Sequence, residues 1–166
     1  MAVYTKVSAE EIDQFLTRFD VGTLVSAKGI AEGVENSNYL LETTRDKYIL
    51  TLYEKRVDPE DLPFFIAMLD HLAAHGCLVP PMIADREGVK IQQLCGRSAC
   101  LITFLPGVSV SHPTPAQAHA TGQALGNMHS ALTNFTPERR NSMDHDGWRT
   151  LAEQCGPAQL DRIEPG

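Results

Sequence analysis

The chain has 166 residues with 14 Lys and Arg against 21 Asp and Glu, a net charge of −7, which excludes the basic face that a nucleic-acid partner requires. No apolar run approaches membrane-spanning length and the N-terminus lacks the apolar stretch of an export signal, so a soluble, cytoplasmic protein with no membrane partner is expected. Cys77, Cys95, Cys100 and Cys155 form no Cys-x-x-Cys and have no His at zinc-finger spacing, so they read as reduced thiols rather than disulfides or metal ligands.

In chain order, Ser8-Ala9-Glu10-Glu11 is a capping box, and Ile12, Phe15, Leu16 and Phe19 follow at helical spacing. A short amphipathic helix therefore opens the chain. Three strands are expected near 24–32, 37–43 and 47–53, with Arg45-Asp46 as the tight turn between the last two. The first turn carries Gly29, Gly33, Asn36, Ser37 and Asn38, small or turn-forming residues whose backbone N–H groups suit an anion. Such glycines serve phosphate cradles and plain hairpins alike.

Asp58-Pro59-Glu60-Asp61 then starts a helix, with an acceptor at the cap, Pro in the first turn and two acids facing the positive end of the dipole. Its stripe of Leu62, Phe65, Ile66, Leu69, Leu72 and Ala73 is expected to lie across the three strands, and Gly76 with Pro80-Pro81 stops it. Strands at 82–84 and 89–94 flank the turn Asp85-Arg86-Glu87-Gly88 as a hairpin, and a further strand spans 98–105 until Pro106-Gly107 breaks it. Thr114-Pro115-Ala116-Gln117 repeats the capping logic, and the helix it starts runs to about Leu132. Gly122 and Gly126 lower its helix propensity, which implies a close helix–helix contact there. A short helix is expected over 148–154, followed by a weakly structured tail.

His71 and His75 lie four apart on one helix but lack the third ligand of a metal site. His129 reads as a packing histidine and Trp148 as a core anchor.

The runs GIAEGVENSNYLLET, YILTLYEKRVDPEDLPFF, ITFLPG and ALGNMHSAL resemble the homoserine kinases of the aminoglycoside phosphotransferase and choline kinase-like superfamily. The resemblance implies an α+β fold. Residues 1–105 would form a protein kinase-like N-terminal lobe, an antiparallel sheet of about five strands with one crossing helix, that binds the nucleotide. Residues 106–166 would be the first helices of an incomplete C-terminal lobe. It further implies ATP-dependent phosphorylation of the L-homoserine hydroxyl on the way to threonine, with ATP and homoserine as partners. Other superfamily acceptors (choline, methylthioribose, an aminoglycoside) and a non-catalytic nucleotide-binding module are the alternatives.

Carried onto this chain, Gly29, Gly33, Asn36, Ser37 and Asn38 would cover the ATP phosphates. Thr103, Phe104 and Leu105 would be the hinge that reads the adenine edge, with Ile30, Ile49 and Phe104 as apolar walls. Thr51 stands where the superfamily often places a phosphate-holding Lys or Arg, and Lys55 is the candidate cation further along. Glu60 and Asp61, the acids that would pair with it, are already explained by helix capping. Phosphoryl transfer also needs an H-x-D-x-x-x-x-N loop and acidic Mg²⁺ ligands. Asp144-His145-Asp146 does not fit, because Leu151 stands where the Asn belongs. The catalytic groups and Mg²⁺ ligands are thus expected beyond residue 166, and the exposed helical face is the expected surface for self-association.

Overall fold

The computed structural model describes residues 3–31, 35–54, 57–141, 143–156 and 159. The elements, in order, are helix α1 (Ala9–Leu16), strands β1 (Leu24–Ile30), β2 (Asn36–Thr43) and β3 (Lys47–Tyr53), helix α2 (Leu62–Ala74), strands β4 (Met82–Ile83), β5 (Gln92–Leu94) and β6 (Arg97–Thr103), and helices α3 (Pro115–Ala131) and α4 (His145–Cys155). The architecture is α+β.

The capping signals act as their chemistry dictates. Ser8 and Glu11 exchange side-chain and backbone hydrogen bonds at the start of α1, and Thr114 and Gln117 do the same for α3. The Asp58 carboxylate accepts from the Glu60 N–H, but the turn it starts (Pro59–Asp61) is a tighter 3-10 turn before α2 begins. Asp144 caps α4 through the Gly147 N–H, so the Asp144-His145-Asp146 run is a helix start.

All strand pairs are antiparallel in the order β1-β2-β3-β6-β4, with β5 also on β6. The expected 82–94 hairpin is a correction. Met82 and Ile83 pair with Ile102 and Leu101, and Gln92 to Leu94 pair with Ala99 to Arg97. Both short strands therefore run the same way along β6, as one edge strand interrupted by an excursion. The Asp85–Gly88 turn closes within that excursion, through Gly88 N–H to Asp85 O and Asp85 N–H to Val89 O. Arg86 ties it to the end of α1, its N–H reaching Arg18 O. Six strands thus fill five positions, the width expected from the sequence.

One face of this sheet is sealed. Tyr39, Leu41, Tyr48, Leu50, Leu52, Ala99 and Leu101 alternate onto it, and Ile12, Phe15, Leu16, Phe19 and Val21 close over them, all buried. The helix that covers this face is α1, whereas the sequence assigned the covering to the α2 stripe. The reason lies in the patterns: α1 has one sharp apolar face, while Leu62 to Leu69 is apolar nearly all round, so periodicity cannot choose the face that packs. Residues 64–69 of α2 are half-buried.

Beyond Thr103 the chain becomes helical. One side of α2 meets it at Phe135, whose ring lies 5.6 Å from that of Phe64 and 5.3 Å from that of His71. His71 Nε2 lies 2.8 Å from Ala131 O, which fixes the ring nitrogen as donor, and Arg139 pairs with Asp61 at 2.6 Å while stacking over Phe65. The helical face is exposed as expected, since α3 and α4 contain no buried residue, but two expectations are corrected: Trp148 is 59% exposed and His129 is exposed. A side chain added at Gly122 or Gly126 would meet nothing within 4 Å among the described residues. These glycines serve no close contact there. No helix among the described residues is long and apolar enough to cross a membrane.

Candidate functional site

Because side chains alternate along strands, cross-strand register assigns each residue to the sealed face or to its opposite. On the opposite face, Ile30, Asn38, Thr51 and Cys100 form one cross-strand row, and Lys28, Leu40, Ile49, Ile102 and Met82 form the next. Asn36 and Tyr53 form the third. The face is therefore an apolar band beside a polar one.

The polar band is built from neutral groups. Thr51 Oγ1 donates to Asn38 Oδ1 at 2.8 Å, which fixes the amide and leaves its NH₂ free to donate elsewhere. Tyr53 Oη and Cys100 Sγ lie 3.3 Å apart. Burial pushes the Tyr53 hydroxyl far above its ordinary range, and burial raises the Cys100 thiol to about 11 despite the opposing Tyr53 hydrogen bond. Both stay protonated near neutrality. Asn36 Oδ1 is a buried side-chain oxygen with no partner among the described residues. An unpartnered buried acceptor beside a donating amide fits a polar ligand better than an empty surface.

The ten sequence-derived candidates separate accordingly. Asn36, Asn38 and Thr51 share this second, open face, whose β3–β6 part is itself covered: Thr51, Cys100 and Met82 are buried. Gly29 and Ser37 instead belong to the sealed face. A Cβ at Gly29 would stand 3.0 Å from Val3 Cγ2, so the absent side chain there makes room for the N-terminal segment. The Ser37 hydroxyl is fully buried, accepting from Tyr4 N–H at 2.8 Å and Thr5 N–H at 3.0 Å while donating to Glu54 Oε1 at 2.7 Å. Thr103, Phe104 and Leu105 lie where β6 ends. Thr103 N–H donates to Pro81 O and Phe104 N–H to Lys47 O, both at 3.1 Å, whereas Leu105 N–H meets no backbone acceptor among the described residues. Gly33 and Lys55 lie outside the described residues.

Of the expected apolar walls, Ile30 and Ile49 share the open face with Leu40 and Ile102, two residues the sequence reading did not single out. Their signal was the alternation in β2, where Asn38 and Leu40 point away from Ser37, Tyr39 and Leu41. Among the described residues no group of three His, Cys, Asp or Glu is placed to hold a metal ion. Among the described residues the face offers hydrogen bonds and apolar contact, with Lys28 as its charged member.

The sequence model described as the phosphotransferase enzyme family matches residues 26–164. The chain belongs to this family. Among solved structures, the family fold recurs in a spectinomycin phosphotransferase in complex with ADP and spectinomycin, with a TM-score of 0.66 at 16% identity over 93% of this chain and 48% of that one. A microcompartment-associated aminopropanol kinase gives a TM-score of 0.61 at 21% identity, over 86% of this chain and 48% of that one. At these identities the likeness shows the fold alone.

Curated relatives are closer in sequence. A homoserine kinase of Zymomonas mobilis is 54% identical over 99% of this chain and 52% of its own length, and one of Azorhizobium caulinodans is 52% identical over 100% and 51%. The chain spans about half the length of the curated relatives it matches.

Proposed function

We propose that this chain carries the nucleotide-binding part of an ATP-dependent homoserine kinase, which phosphorylates the L-homoserine hydroxyl in threonine biosynthesis in the cytoplasm. The observation that carries the acceptor is about 50% identity, over essentially all of this chain, to curated homoserine kinases. The geometry supports the nucleotide. Adenine would lie against Ile30, Leu40, Ile49 and Ile102, with its edge toward the backbone at Thr103 to Leu105, of which the unengaged Leu105 N–H is the natural donor.

Asn36, Asn38 and Thr51 would face the sugar and phosphates through neutral hydrogen bonds, with Gly33 and Lys55 as further candidates. When bound, ATP supplies the transferable phosphoryl group; this chain's residues hold and orient it. Residues 1–105 would form the nucleotide lobe and 106–166 belong to the helical lobe, whose exposed apolar side is assigned as the self-association surface.

Two measurements test this reading. The purified chain should bind ATP in calorimetry. A chimera in which the chain replaces its matching stretch in the Zymomonas mobilis enzyme should make O-phosphohomoserine and leave choline untouched. A chain blind to ATP overturns the nucleotide site, and a chimera that prefers choline overturns the acceptor.

A further inference from the structure

The segment ahead of α1 is extended, and it lies on the sealed face near the turn end of the β1–β2 hairpin. Val3 fills the space over Gly29. Tyr4 N–H and Thr5 N–H donate to Ser37 Oγ. Tyr39 Oη donates to Thr5 O at 2.7 Å and accepts from Val7 N–H at 3.0 Å. Ser37 in turn donates to Glu54, whose carboxylate also takes the Thr5 side chain and Arg97 Nε at 2.9 Å. Five residues of chain are thus bolted to β2 and to the end of β3 through one buried serine, one tyrosine and one carboxylate only 11% exposed.

The placement of these contacts is specific. Ser37 is the residue between Asn36 and Asn38, and a strand turns successive side chains to opposite faces. Seating the Ser37 hydroxyl in its socket on one face therefore sets the height and register of both asparagines on the other. A slip of one residue would bury an asparagine and expose the serine.

Resting on the nucleotide reading above, we propose that the segment Val3–Val7 is a positioning strap. Through Ser37 and Glu54 it holds Asn36 and Asn38 in register for the nucleotide, and its anchoring is thermodynamically coupled to nucleotide occupancy. Coupling between two sites is reciprocal: if the strap favours nucleotide binding, bound nucleotide must tighten the strap to the same degree.

The reciprocal arm needs no variant. Saturating the unmodified 166-residue chain with ATP should slow hydrogen exchange at the Thr5 and Val7 amides, although they lie on the face away from the nucleotide. In the forward direction, Ser37→Ala and removal of residues 1–6 should each weaken ATP binding about five-fold or more in calorimetry, the lower end of ordinary inter-site coupling. Glu54→Gln, which keeps an oxygen for Ser37, should fall between these and the unmodified chain.

Ile12→Val, a conservative core change that removes none of the strap's hydrogen bonds, separates positioning from stability: it should lower the melting temperature and leave ATP affinity within about two-fold. ATP that protects open-face amides but not Thr5 and Val7 overturns the strap alone. So does ATP affinity in Ser37→Ala that is unchanged, or reduced no more than in Ile12→Val. A chain that binds no ATP overturns the nucleotide reading and the strap together.

Discussion

The sheet with α1 and the helices after Thr103 use similar residues to opposite ends. In the first, Ile12, Phe15, Leu16 and Phe19 are at most 2% exposed, while in the second Leu125, Leu151 and Trp148 are each about half exposed. Both regions have sound local signals, since α1 and α3 carry equally complete capping boxes. A cap makes a helix start where it should; burial of an apolar face makes it stable. The sheet region has both, and α3 and α4 have the first.

The contrast breaks most visibly under mutation. Phe15→Ala should cost about 3–5 kcal/mol in denaturant unfolding, the usual range for emptying a buried aromatic site. Leu125→Ala in α3 should stay within about 0.5 kcal/mol, as exposed substitutions do. Equal losses at the two positions would show that the helical residues are packed in solution.

Next in size is Gly22→Ala, at the turn between α1 and β1. Gly22 has φ of 82°, and an added Cβ would collide with Thr44 Oγ1. A loss of about 1–3 kcal/mol is expected in the same assay, and Gly76→Ala, where φ is 76° with nothing within 4 Å, should cost less.

Arg139→Ala tests the seam between the regions. It removes the half-buried pair with Asp61 and the stacking over Phe65. About 1 kcal/mol is expected, with amide exchange rising in α2 and α3 but not in β2 and β3.

The smallest effect is a pH dependence confined to the sheet. Burial pushes the Glu54 carboxyl up, but hydrogen bonds from Ser37, Thr5 and Arg97 together with the Arg97 charge outweigh it and hold it below its ordinary 4.5. The fold therefore favours the ionised form. That stability is fully present above the ordinary value and drains away as pH falls through the lower folded value. Glu54→Gln should be less stable than the parent at pH 7, and the difference should narrow in acid; a constant gap down to pH 2 would remove the carboxylate's charge from the explanation.

Much of this was readable from local chemistry. Caps at Ser8, Asp58 and Thr114, the Arg45-Asp46 turn and the alternation in β2 and β3 are each decided within a few residues. The interrupted β4–β5 edge was not readable, because the Asp85–Gly88 turn looks the same whether its flanks pair with each other or with β6. Gly29 and Ser37 were expected to cover the ATP phosphates because their type permits a tight turn. Their side of the sheet depends on Val3, Tyr4 and Thr5, more than twenty residues away in sequence. Gly122 and Gly126 misled for the converse reason, since small residues allow a close neighbour without requiring one.

The broken edge strand bears on how this chain would aggregate. An intact edge is a template for another molecule's strand, but here β4 has two residues and β5 three, separated by a looped excursion pinned to α1. The other edge, β1, has an irregular register between Leu24 and Ser26 and carries Lys28. Neither rim offers a clean row of hydrogen-bonding groups. Copies that stick together should do so through Leu125, Trp148 and Leu151, giving amorphous clusters that detergent disperses, and the cross-β diffraction and thioflavin signal of a fibril should be absent.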